Sequence, residues 1–127
     1  MSLFSSEYFG DRTQHTSGVF AAASIPTIFY IANDEYDLVE ARAVWTTASS
    51  SGTLDIEQLT GTTAPGSGTV VDSASLSTAG TANTVNQFSI KSNVRLVAGD
   101  RLALKTGGTQ TGLANAVVTI TLKRRAL

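Results

Sequence analysis

The sequence predicts an all-β protein, an antiparallel β-sandwich of jelly-roll type with about eight strands. Three observations lead there. Apolar residues recur with period two rather than 3.6 along most of the chain. Clusters of Gly, Ser, Thr, Asn and Pro punctuate it at short intervals, as in "ANDE", "TASSSGT", "TGTTAPGSGT", "STAGTANT" and "KTGGTQTGLAN". Between these turn signals no stretch of about ten residues keeps helical spacing. An up-and-down barrel is the rival architecture, because spacing alone does not give strand order.

Taken in chain order, "GVFAAAS" and "TIFYIA" are apolar on both faces and predict central or covered strands. "YDLVEARAVWTT" alternates, with Val39, Ala41, Ala43 and Trp45 on one face and Leu38, Glu40, Arg42 and Val44 on the other. Trp45 belongs in the core, where its indole N–H needs an acceptor. In "TLDIEQL", Leu54, Ile56 and Gln58 point one way and Asp55, Glu57 and Leu59 the other. "TVVDSASLS" and "VNQFSIK" are weaker strands, the second anchored by Phe88 and Ile90. "VAGD" reads as a turn that enters "DRLALK", with Leu102 and Leu104 inward and Arg101, Ala103 and Lys105 outward. "AVVTITLKR" is the firmest strand: Val118, Ile120 and Leu122 alternate with Val117, Thr119, Thr121 and Lys123.

The 127 residues predict one sandwich domain over 17–127, preceded by an N-terminal arm over 1–16. The start "MSLFSSEYFGDRTQHTSG" lacks the basic and apolar regions of a secretory signal, so synthesis in a cytoplasm is expected. With no cysteine, disulfides and thiolate metal sites are excluded. The net charge of -1 favours neither nucleic acid nor an anionic membrane, both of which select basic surfaces. Only 15% of residues are charged, and Ser, Thr, Gly and Ala fill the polar positions instead.

Each candidate chemical group has a structural alternative. Gly61, Gly66 and Gly68 in "QLTGTTAPGSGTVV" lack the lysine or following helix of a phosphate loop, and the strand-like "TVVDSASL" follows them. They read as a loop at one end of the sandwich, with Pro65-Gly66 as a turn pair. His15, the only histidine, sits in a polar stretch near Glu7 and Asp11 and reads as a surface residue. Asp55 and Glu57 have the spacing of a glycosidase acid pair, but a solvated strand face explains them equally well. Asn33, Asp34, Glu35 and Asp37 could supply oxygen ligands to calcium, yet an acidic turn before a strand accounts for them without EF-hand spacing. No enzyme, cofactor or metal is expected. Phe4, Tyr8 and Phe9 place aromatic rings on an otherwise polar arm, which either docks into a neighbour's groove or folds back over its own sandwich.

Three segments, "EARAVWTTASSSGTLDIEQLTGTTAPGSGTVV", "STAGTANTVNQ" and "LVAGDRLALKTGGTQTGLANAVVTITLKR", together resemble the small jelly-roll decoration, or cement, proteins on the heads of tailed bacteriophages. The likeness spans roughly residues 36–125. It implies a virion protein assembled in host cytoplasm and seated on the capsid exterior. It further implies a homotrimer that bridges capsomers of the major capsid protein without doing chemistry, with Phe4, Tyr8 and Phe9 of the arm as capsid contacts. Two other classes stay open beside it. A carbohydrate-binding or tail-fibre receptor-binding module would use the same fold but needs exposed rings to stack on sugar. A cupin-type enzyme would need a histidine cluster, which one histidine cannot supply.

Overall fold

The computed structural model describes residues 12–16 and 27–124. Every element among them is a strand: β1 (Arg12–Thr16), β2 (Thr27–Ile31), β3 (Tyr36–Val44), β4 (Ser51–Leu59), β5 (Thr69–Val70), β6 (Leu76–Ser77), β7 (Asn86–Gln87), β8 (Arg95–Leu96), β9 (Arg101–Thr109) and β10 (Val117–Arg124). Two antiparallel sheets result. One runs β1-β10-β3-β7, with β8 also on β3; the other runs β2-β9-β4-β5, with β6 also on β4. The chain is therefore an all-β sandwich, as its alternation predicts. Residues 12–16, which the sequence reading placed in the arm, form β1 and pair along β10.

The long strands alternate because their inward residues meet across the gap between the sheets. Val118, Ile120 and Leu122 of β10, Leu54 and Ile56 of β4, and Leu102 and Leu104 of β9 join one apolar cluster with Trp45, Phe88 and Leu96. The Trp45 indole N–H donates to the Gly80 carbonyl at 3.5 Å. A second polar device lies inside. The Thr78 hydroxyl donates to Gln110 Oε1 at 2.9 Å and contacts the Ser49 hydroxyl at 2.7 Å. Gln110 Nε2 in turn donates to the Thr53 and Gly107 carbonyls. The buried hydroxyls of Ser49 and Thr78 thus have partners within this network, as burial requires.

The structure departs from the sequence expectation in several places; Ala103 on β9 and Thr121 on β10, expected outward, are both buried. On β3, Leu38 is buried and Val39 is exposed, the reverse of the sequence expectation. The cause is a bulge: Thr121 pairs with Glu40 but Leu122 pairs with Leu38, so Val39 is extra and the phase flips there. On β4, Glu57 and Leu59 point away from the core yet are fully buried, because the loop that follows folds back over them. "TIFYIA" was expected to be central or covered. Among the described residues β2 instead stands at the end of its sheet, with a register irregularity between Ile28 and Tyr30 and with Ile31 exposed. "GVFAAAS" lies outside the described residues.

Candidate functional site

The glycine-rich loop is a structural clasp. Ser67 N–H donates to the Ala64 carbonyl, closing a four-residue turn with Pro65 and Gly66 at its centre. Gly66 has φ +95, which makes this a type II turn and gives glycine its place there. The turn aims amides back at β4: Gly66 N–H donates to Glu57 Oε2 at 2.6 Å and Gly68 N–H to Oε1 at 2.7 Å. Gly68 approaches closely enough that a Cβ there would meet Leu59 Cδ2 at 2.5 Å and the Gln58 carbonyl at 2.6 Å. The loop does hold an anion, but the anion is the protein's own carboxylate.

This geometry corrects the reading of Asp55 and Glu57 as a solvated acid pair. Glu57 is fully buried under the loop. Asp55 accepts the Ser75 hydroxyl through both oxygens, at 2.9 and 3.0 Å. The two acids share a strand face but not a cleft, so they do not flank a substrate. The sequence reading missed Asp72, which is 3% exposed and accepts Ile56 N–H through Oδ1 at 2.8 Å. Burial first, and then the hydrogen-bonded neighbour Asp55, push its carboxyl up to about 7.

The acidic turn is also internally engaged. Asp34 pairs with Arg124 at 2.7 Å, and Glu35 pairs with Arg95. Tyr36 donates its hydroxyl to Asn33 Oδ1 at 3.2 Å, and Asp37 has interactions of its own. The oxygens proposed for calcium are spread among arginines and a tyrosine rather than converging on one point. In "VAGD", Asp100 N–H donates to the Val97 carbonyl and Gly99 has φ +93, again a type II turn. Asp100 Oδ2 accepts Val97 N–H and Gln58 Nε2–H, which ties the hairpin entry to β4.

His15 falls on β1, opposite Ile120 in backbone register. Phe4, Tyr8 and Phe9 lie outside the described residues. Of the described aromatics, Trp45, Phe88 and Tyr30 are buried, and Phe29 and Tyr36 pack against the core. Burial pushes the Tyr30 hydroxyl up to about 12, with the neighbouring Tyr36 adding to the shift.

One surface feature among the described residues is a shallow groove of about 240 Å³ on the outer side of β10 and β3. Val44, Val85 and Val117 contribute apolar surface to its lining, and Arg42, Thr119 and Thr121 contribute polar groups. Val85 is 62% exposed, and Arg42 forms an ion pair with Glu40.

No family model, curated protein or solved structure matches this chain.

Proposed function

We propose that this protein is a structural virion component that binds the outer surface of a bacteriophage head and bridges capsomers of the major capsid protein as a homotrimer. The observation that carries the proposal is how the described residues are committed. Glu57, Asp55, Asp34 and Glu35 are held by the protein's own donors, while valines line an open groove on one sheet face. A scaffold that docks by surface complementarity needs the second feature and makes no use of free acids.

Strand order supports the finer fold reading. With β5 and β6 counted as one interrupted strand on β4, and β7 and β8 as another on β3, eight strand positions interleave between two four-position sheets. That interleaving supports a jelly-roll reading, an architecture found in viral capsid domains. The low charge supports a sturdy exterior protein, and multivalent linkage explains how modest contacts suffice when many copies act together.

The carbohydrate-binding alternative receives no support from the aromatic rings, since the described ones are buried or packed on the core. The test is binding of purified protein to heads that lack it. Wild-type protein should saturate the heads. Val85→Asp and Arg42→Glu should fold normally, judged by Trp45 emission, and bind at least tenfold more weakly. Unimpaired binding by both variants would remove the groove from the proposal.

A further inference from the structure

We propose that Asp72 and Asp55 form a proton-dependent latch, which fastens the two sheets together along one side of the sandwich and loosens when the pair loses its shared proton. The inference is independent of the capsid role. It begins with the backbone around Asp72. Val71 N–H donates to the Ile56 carbonyl on β4, in the β2-β9-β4 sheet. The Val71 carbonyl accepts Lys91 N–H, and Ser73 N–H donates to the Ser89 carbonyl. One residue before Ser89, Phe88 N–H donates to the Ala41 carbonyl on β3, in the opposite sheet. Residues 71–73 are therefore the seam through which β4 of one sheet is tied to β3 of the other.

The Asp72 side chain reinforces that seam. Its Oδ1 accepts Ile56 N–H, an amide that β5 leaves free because its pairing with β4 covers only Glu57 and Gln58. Its Oδ2 is buried and receives no donor. Asp55 is the residue before Ile56, whose N–H Asp72 accepts, so the Asp55 carboxyl, itself fixed by the Ser75 hydroxyl, stands next to that of Asp72. Two neighbouring carboxyls repel when both are ionised, which favours a proton on one of them. A proton on Asp72 removes the charge from its buried, unpartnered oxygen; without it, a negative charge stands in the buried seam with Asp55 beside it.

The charged surroundings are few. Lys105 stands opposite Asp55 on β9, Glu57 follows Asp55 on β4 with its carboxylate already held, and the Lys91 ammonium donates to the Val70 carbonyl. Desolvation by burial, with Asp55 next to it, raises the Asp72 carboxyl to about 7 from the ordinary 3.8. A raised carboxyl binds a proton in the folded state that the unfolded chain has already released. Its contribution is complete below the ordinary value and is lost as pH rises through about 7.

The test is urea unfolding followed by Trp45 fluorescence between about pH 5 and pH 8.5. Wild-type folding equilibrium should fall at least tenfold across that range. Asp72→Asn mimics the protonated acid, because its carbonyl still accepts Ile56 N–H and its amide donates to Asp55; the fall should vanish. Asp55→Asn should flatten the same range by donating to an ionised Asp72, and it keeps the test alive if the first variant does not fold. His15→Gln controls for the only histidine and should retain the fall. Amide exchange at Val71, Ser73 and Lys91 should quicken with pH beyond the intrinsic rate, relative to Ala43. A wild-type curve that is flat, a fall that persists in Asp72→Asn, or a fall abolished by His15→Gln overturns the latch. So does calcium that stabilises wild type at high pH but not Asp72→Asn, since a cation would then hold the pair.

Discussion

Glu57 Oε2 accepts the backbone N–H of Gly66 at 2.6 Å, across nine residues of sequence. That bond and its companion to Gly68 fold a polar loop flat against the outer side of β4 and bury both a carboxylate and Leu59. Bonds from amides to a charged acceptor contribute about 1.5–3 kcal/mol each. Glu57→Ala should destabilise the protein by about 2–4 kcal/mol, since it leaves two amides without their acceptor and opens a void. Glu57→Gln keeps one acceptor oxygen and should cost less. Chemical denaturation of both variants checks the order.

Gly68 is the tightest point of this clasp. An alanine there would press its Cβ onto the Gln58 carbonyl and Leu59. Gly68→Ala should therefore lose stability of the same order as Glu57→Ala, and the double variant should lose less than the sum, because both break one unit. Additive losses in a double-mutant cycle would separate the two.

The bulge on β3 makes a prediction opposite to simple alternation. Leu38→Ala should cost about 2–4 kcal/mol, since Leu38 is 3% exposed, whereas Val39→Ala at an exposed position should cost under about 1 kcal/mol. Thermal or urea unfolding of the two variants decides the phase of the strand directly.

The surface ion pairs should matter little to stability. Asp34 and Arg124 have side chains 46% and 60% exposed, and exposed pairs contribute about 0–1 kcal/mol. Asp34→Asn should shift the unfolding midpoint only slightly, and added salt should shrink even that difference.

Residues 1–11 of the arm precede β1 in sequence. Because β1 begins at Arg12, deletion of residues 1–11 leaves all described strands in place and should preserve the melting curve. If Phe4, Tyr8 and Phe9 are capsid contacts, the same deletion weakens head binding by at least tenfold, and replacing the three rings by alanine does the same.

How much of this was legible in the sequence varies by element. β9 and β10 are readable because Leu102 and Leu104, and Val118, Ile120 and Leu122, recur at every second position and join one core, although Ala103 and Thr121 between them are buried too. The flip at Val39 is not, since a bulge is decided by pairing with β10, a strand some eighty residues away. Glu57 reads as a surface acid until the loop is placed over it; the closely spaced glycines after an acid-bearing strand were the available signal. Asp72 carries no local signal, because its environment is built by β4 and by residues 88–91. β5 to β8 are two-residue pieces whose periodicity is too short to count. Ile28 and Ile31 made β2 look covered, yet hydrophobic residues at a sheet margin do expose apolar atoms.

The most direct test of the structural role is the number of copies per particle, measured by quantitative mass spectrometry of purified virions against the major capsid protein. The account predicts abundance comparable with the capsid lattice and retention on heads from which tails have been removed. A handful of copies, travelling with tail components, would contradict it.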